Sequence, residues 1–289
     1  QIEKFGCSLE ARYLQIFKGD EIEFPEDGYQ GEDIKDLAKE YADLNGDSLV
    51  NVSAEERKKA LVDYALPKNI KKMQADMEKY KIFYDKWFFE SELHKSGAVK
   101  AVVDLLTEKG LTYEKDGAVW YKNKEVLTQK LLKEGKSQKY IDNLELKDDV
   151  LIRQNGNPTY FTADIAYHKN KFDRGFTTLI DVWGADHHGH VMRMKGAMDA
   201  IGYDGDKLNV VLMQLVKLVK DGELVRMSKR TGKAITLTDL LDEVPIDSAR
   251  FFFNQRESSS TLDFDLDLAV RNDSENPVYY VQYAHARIC

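Results

Sequence analysis

The sequence predicts an α/β protein in which a parallel sheet carries helices on its faces. Three observations lead there. Across residues 160–241, stretches of helical period alternate with short apolar runs rich in β-branched residues, the pattern of strand–helix–strand units. The chain has 289 residues, 43% of them apolar, which is enough for a sizeable core in one large domain or two ordinary ones. No apolar run approaches the roughly 20 residues of a membrane helix, and no secretory signal pattern is present.

The elements follow in order. Ile2, Phe5, Leu9, Tyr13 and Phe17 recur at spacings of three and four and predict an opening helix. A polar, acid- and glycine-rich stretch covers residues 18–31. Ile34, Leu37, Ala38 and Tyr41 share the face of a second helix. Ser53 and Glu56 form an S-x-x-E capping box for a third, predicted to run to about Tyr64. Pro67 is expected to break it, with a further helix over residues 70–80. The aromatic-dense residues 82–90 read as core. A helix over residues 98–106 stops near Gly110, with Lys109 in its last turn. Lys115-Asp116-Gly117 joins two short strands as a hairpin, because Asp-Gly accepts positive φ. Residues 149–154 form a strand that turns at Asn155-Gly156.

The α/β part begins with a helix over residues 160–171. An apolar strand over residues 178–183, a helix over residues 189–201 and an apolar run over residues 209–219, bent into two strands, come next. Asp221-Gly222 supplies a turn, and a helix opens at Thr238. Pro277 sits in the first turn of the last helix. Asp263, Asp265 and Asp267 alternate like a calcium loop. However, the sixth position is Leu268 rather than Gly and the twelfth is Ser274 rather than Glu, so the segment reads as a strand.

The formal charge is −8, from 42 basic and 50 acidic residues, which excludes a surface coated in basic charge for indiscriminate nucleic-acid binding but leaves room for a local patch. Cys7 and Cys289 have no metal-site or disulfide spacing, so a reduced, cytoplasmic setting is expected.

Three segments could carry chemistry. Trp183-Gly184-Ala185-Asp186-His187-His188-Gly189-His190 lies between a strand and a helix. Gly184 has no Cβ, so a flat ligand could approach its backbone, and the helix N-terminus offers N–H groups to anionic oxygens. A zinc site and a plain polar turn are the alternatives. Tyr160 and Asp164 lie four apart on one helix face, where a phenol and a carboxylate suit a guanidinium; an ordinary surface pair is the alternative. Glu90, beside Phe88 and Phe89, is a second partner for a cation. Arg226-Met227-Ser228-Lys229-Arg230, followed by Thr231-Gly232-Lys233, sets cations on a glycine-bearing segment. Such a segment suits negative charge that grows in a transition state, or is simply a solvated basic loop.

Taken together these residues resemble a known family. Tyr160 to Tyr167, Gly184-Ala185-Asp186-His187, Met227-Ser228-Lys229 and the run from Asn276 to Arg287 are similar, in order and spacing, to bacterial arginyl-tRNA synthetase, a class I aminoacyl-tRNA synthetase. The opening Gln1 to Gly6 resembles the family just downstream of its HIGH element. The likeness is weakest over residues 31–80. It implies a Rossmann-like nucleotide-binding sheet, of which this is the distal half, with an α+β connective insertion and the start of a helical anticodon-binding domain. The implied boundaries are 1–30 for the tail of the first half of the nucleotide fold and 31–80 for the connective helical insertion. The second half takes 81–270 and the anticodon domain starts over 271–289.

The implied activity is arginine–tRNA ligation with ATP as substrate and Mg²⁺, tRNA-Arg as partner, no membrane and a monomeric parent. By resemblance Glu90, Tyr160 and Asp164 hold arginine, and Gly184, Asp186, His187 and Met227 line the ATP site. Lys229, Ser228 and Arg226 belong to the catalytic KMSKS-type loop. Arg226 replaces the usual Lys there, which keeps the charge and changes its shape. No HIGH-like tetrapeptide is present, and both ends read as cuts within a longer chain, so residues 1–289 alone are expected to be inactive. A different class I synthetase, or a non-catalytic RNA- or ligand-binding fragment, is the alternative.

Overall fold

The structure is a computed structural model that describes residues 2–225 and 236–289. The basic segment Arg226 to Lys233, which includes Met227, Ser228 and Lys229, lies outside the described residues. The chain divides into two units, residues 1–84, 217–255 and 263–289 in one and residues 85–216 and 256–262 in the other.

The first unit opens with three helices, α1 (Ile2–Lys18), α2 (Glu32–Asn45) and α3 (Ala54–Lys79). Their apolar stripes meet in one core through Leu9 and Tyr13 of α1, Ile34, Leu37 and Ala38 of α2, and Leu61 and Ala65 of α3. The loop between α2 and α3 is fastened from inside. The Tyr13 hydroxyl donates to Gly46 O at 2.8 Å and accepts from Leu49 N at 3.1 Å. Buried Arg57 pairs with Glu10 at 2.7 Å and donates to the carbonyls of Leu49, Val50 and Val52. Ser53 caps α3 by accepting from Glu56 N–H, one arm of the expected box.

The break expected at Pro67 does not occur, since α3 runs unbroken from Ala54 to Lys79. Proline removes one rung and crowds the preceding turn, at a cost of about 3 kcal/mol. Burial of Leu61 and Ala65 on one side offsets it, because tertiary packing supplies most helix stability.

The second unit begins within the aromatic stretch expected to be core. That expectation fails in part. Phe83 is 72% exposed, and Tyr84 and Phe89 are also exposed, while Phe88 stacks on Tyr167 with ring centroids 4.8 Å apart. The stretch is irregular between α3 and α4 (Glu90–Lys95), so it has no repeating face with which to bury every ring. After α5 (Ala98–Glu108) come β1 (Thr112–Lys115) and β2 (Ala118–Tyr121), an antiparallel hairpin turned by Asp116 and Gly117 at φ of 52° and 72°. Helices α6 (Asn123–Lys133) and α7 (Gln138–Asn143) lead to β3 (Asp149–Ile152), which pairs with β2. Then follow α8 (Tyr160–Asp173), β4 (Leu179–Gly184), α9 (His188–Ile201) and β5 (Leu208–Met213). Strands β4 and β5 are parallel, in register from Leu179 opposite Leu208 to Gly184 opposite Met213. Leu106, Leu151, Ile165, Leu179, Met194 and Leu208 share one core, so α5, α8 and α9 pack on both sheets.

The chain then returns to the first unit. Strand β6 (Val216–Lys220) turns at Asp221 and Gly222 into β7 (Glu223–Leu224). Helix α10 (Leu237–Glu243) opens with a reciprocal capping box between Thr236 and Asp239, and α11 (Ile246–Asn254) follows. Strand β8 (Leu262–Asp265) joins the sheet beside β6. Asp265 caps the short α12 (Leu266–Ala269), and Asp267 accepts from Asp221 N–H at 2.6 Å, so two of the alternating acids hold backbone groups. Helix α13 (Pro277–Ile288) is capped by Asn276 and begins with proline.

Candidate functional site

The site lies within the second unit, where α8 faces the carboxyl end of β4 and the start of α9. Helix α8 begins where it does because Thr159 is its N-cap. The Thr159 hydroxyl accepts from Thr162 N–H and donates to Val150 O at 2.7 Å. The buried Thr162 hydroxyl donates to Leu151 O at 2.8 Å. Both bonds end on β3, so the first turn of α8 is fixed to a strand. Tyr160 and Asp164 leave the opposite face of that turn and line a groove of about 480 Å³ with Asp186, His187, His190 and Arg193.

Asp164 also borders a second, narrower cleft of about 360 Å³, formed with Tyr167, His168, Lys171, Asp181, Trp183, His187 and His190. Asp164, His187 and His190 thus line both cavities, which adjoin. The His190 ring places Nε2 3.2 Å from Asp164 Oδ2 and packs between Phe161 and Trp183, with centroids at 5.5 and 5.3 Å. Arg193 forks onto Asp149 through Nε, at 3.0 Å, and Nη2, and its guanidinium lies 4.9 Å from the Phe161 ring centre. Burial pushes the Asp149 carboxyl up more than Arg193 pulls it down. Burial likewise pushes the neighbouring Tyr121 phenol well above its ordinary range.

The other side of the groove is set by β4. Its last residue, Gly184, has ordinary extended φ and ψ of −65° and 149° and feeds a single turn of 3₁₀ helix, Ala185–His187. A Cβ on Gly184 would come within 2.5 Å of Asp186 Oδ1, so the turn is too tight for a side chain there unless Asp186 moves. Asp186 and His187 are solvent-facing and 3.8 Å apart. The 3₁₀ turn runs straight into α9, and His188 N–H donates to Ala185 O, so backbone rather than a side chain closes the start of that helix. Gly189 in the first turn has no neighbour within 4 Å of an added Cβ.

Of the residues singled out in the sequence, Tyr160, Asp164, Asp186 and His187 line one groove, with Gly184 at the end of the strand that feeds it. Glu90 lies in the first turn of α4, exposed and 3.5 Å from His94, and lines neither cavity. Met227, Lys229, Ser228 and Arg226 lie outside the described residues. Among the described residues no cluster of three or more His, Cys, Asp or Glu side chains is placed to hold a metal ion.

Sequence reading quoted Trp183 and His190 only as ends of the strand-to-helix segment, with no role of their own beyond the zinc alternative, and did not single out Arg193 or the group formed by His168, Lys171 and Asp181. On α8 the signal was present, because Tyr160, Asp164, Tyr167, His168 and Lys171 recur at spacings of three and four along one polar stripe. Asp181 carries no local signal, for its partners lie on another element.

Residues 32–272 match the family described as tRNA synthetases class I (R), catalytic domain. Over its whole length the chain is 58% identical to the arginine–tRNA ligase of Caldanaerobacter subterraneus subsp. tengcongensis, of which it covers 48%. It is 56% identical to that of Ruminiclostridium cellulolyticum, of which it covers 49%. The chain therefore spans about half the length of the curated relatives it matches. A crystal structure assigned as an arginyl-tRNA synthetase from Campylobacter jejuni aligns over 100% of this chain and 59% of its own, with a TM-score of 0.83 and 36% identity. Thermus thermophilus arginyl-tRNA synthetase aligns over 96% of this chain and 54% of its own, with a TM-score of 0.65; at 18% identity it shows the shared fold alone.

Proposed function

The chain belongs to the family of class I (R) tRNA synthetase catalytic domains, and from that premise we propose that the whole protein is an arginine–tRNA ligase. Its fold is that of the class I catalytic domain. The observation that carries the reading is the groove in which the Tyr160 phenol and the Asp164 carboxylate open onto the Asp186–His187 turn. A carboxylate accepts a guanidinium through paired, charge-assisted bonds, and a phenol adds an oriented oxygen. Arginine is thereby held by its side chain with its own carboxylate directed to the nucleotide. Glu90, which lines neither cavity, is assigned to the same substrate as a second acid by resemblance alone.

In the proposed reaction a carboxylate oxygen of arginine attacks the α-phosphorus of ATP and pyrophosphate departs, giving arginyl-adenylate. A terminal ribose hydroxyl of tRNA-Arg then attacks the activated carbonyl and AMP departs. No covalent enzyme intermediate is needed, so positioning and charge stabilisation supply the catalysis. Gly184, Asp186, His187 and Met227 are assigned to ATP. The placing of Asp186 and His187 on the same groove as Asp164 supports that assignment for those two residues. Lys229, Ser228 and Arg226 are assigned to the departing pyrophosphate by their likeness to the KMSKS loop. Mg²⁺ is expected to travel with the ATP phosphates, the usual mode for this ion.

The test is pyrophosphate exchange into ATP by the whole protein with tRNA present, across a panel of amino acids. Exchange that depends on arginine is expected. Exchange with lysine, glutamine or methionine in place of arginine would overturn the reading.

A further inference from the structure

The narrower cleft beside the groove is lined by a group of polar side chains that the proposed reaction does not use. Asp181 points from β4 into the narrower cleft and is 7% exposed. One of its oxygens, Oδ2, meets Nε2 of buried His168, and the other, Oδ1, accepts from Lys171 Nζ at 2.7 Å. The second ring nitrogen of His168, Nδ1, lies 2.7 Å from the main-chain carbonyl of Asp164.

Hydrogen-bond bookkeeping decides the state of that ring. A peptide carbonyl only accepts. Burial pushes the Asp181 carboxyl up, but the hydrogen bond and charge of His168, and then those of Lys171, outweigh it and leave it below the usual carboxylate range. Independently of the ring, the Lys171 ammonium pairs with Asp181 Oδ1 at 2.7 Å, so the carboxylate is ionised and also only accepts. Both ring nitrogens of His168 face acceptors, so each must carry a hydrogen; a neutral ring would aim a lone pair at an oxygen. The other polar or titratable groups around the ring are Tyr167 on α8 and, across the cleft, His187 and His190. The Trp183 and Tyr167 rings lie 6.3 and 6.1 Å from it, centroid to centroid.

We infer that His168, as an imidazolium, is a positioning residue that ties the helical turn bearing Asp164 to the strand bearing the Gly184–His187 turn. This inference rests on the proposed ligase reading for its kinetic meaning. Its geometry is direct: His168 is one helical turn beyond Asp164, and Asp181 is three residues before Gly184 on β4. Helix α8 is fastened at its start to β3 by Thr159 and Thr162 and at its third turn to β4 by His168 and Lys171. The second fastening sets the separation of the two subsites without touching either substrate. Because a misplacement of about 1 Å can cost about a hundredfold in rate, its loss should act on the chemical step more than on either binding step.

Two measurements on the whole protein test this. The first is ¹⁵N NMR of the histidine-labelled protein at pH 7.5, with the His168 signals identified by their absence from His168→Gln. Protons on both ring nitrogens are expected; one protonated nitrogen would overturn the imidazolium. The second is adenylate formation per active site, counted by active-site titration, for His168→Ala and His168→Gln. A fall of about 10- to 100-fold in kcat is expected for His168→Ala, with arginine and ATP affinities changed less than about threefold and partial recovery in His168→Gln, whose amide still reaches one acceptor. An unchanged kcat per active site, with only a lower melting temperature, would overturn the positioning role. Failure of the unaltered protein to activate arginine would overturn the ligase reading and the kinetic role with it. The proton count stands or falls separately.

Discussion

Replacing Asp164 by Asn tests guanidinium recognition with little disturbance to the fold. The amide has the carboxylate's shape, and its oxygen can still accept from His190 Nε2, which lies 3.2 Å from Asp164 Oδ2. What disappears is the negative charge. Hydrogen bonds to charged groups contribute about 1.5–3 kcal/mol, and about 1.4 kcal/mol is a tenfold change in affinity, which brackets the loss at about 10- to 150-fold. The Asp164 side chain is 44% exposed, so solvent screening favours the lower end, about 10- to 30-fold. Titration calorimetry of the whole protein with arginine reads this directly. ATP affinity should be unchanged, and the partly exposed His190 contact limits any stability loss to about 1 kcal/mol. Citrulline, which has arginine's shape without the charge, supplies the control. The variant should bind arginine more weakly and citrulline about as before. An unchanged arginine affinity, or an equal loss for citrulline, would refute the assignment of Asp164 to the guanidinium.

Three further outcomes follow from packing and charge. Arg57→Met strands Glu10 and three loop carbonyls inside the first unit, and should cost about 3–5 kcal/mol in urea unfolding. Pro67→Ala restores a missing rung in α3 and removes a crowded ring, and should raise stability by about 1–3 kcal/mol on the same assay. Asp181 contributes to stability in a pH-dependent way. Its folded carboxyl is held below the unfolded value of about 3.9, so its contribution is complete above that pH and is lost as pH falls through the folded value. Asp181→Asn should therefore be destabilised by about 3 kcal/mol at pH 7, because the half-buried Lys171 ammonium and the buried His168 ring lose the carboxylate they share. That deficit should shrink as urea midpoints are taken below about pH 4.

The parts of the fold legible in sequence were those set by local chemistry. Asp116-Gly117 and Asp221-Gly222 turn their hairpins because positive φ is cheap there, and Ser53 and Pro277 mark helix starts through a cap and a first-turn proline. Pro67 misled because its penalty is local while the packing of Leu61 and Ala65 that outweighs it is tertiary. The aromatic stretch misled for the converse reason: ring content signals burial on average, but Phe83 and Phe89 lie on a segment with no repeating face to bury. At the site, Tyr160 and Asp164 were readable because one helical turn joins them. The contacts of Asp164 with His190, and of His168 with Asp181, join separate elements at sequence distances of 26 and 13 residues, which no periodicity encodes.

The most direct measurement is aminoacylation by the whole protein with Mg-ATP, tRNA and a mixture of labelled amino acids, followed by identification of the ester on the tRNA 3′ end. Arginine on tRNA-Arg is the expected product. Another amino acid in that ester, or no ester when arginine, ATP and tRNA-Arg are all supplied, would contradict the account.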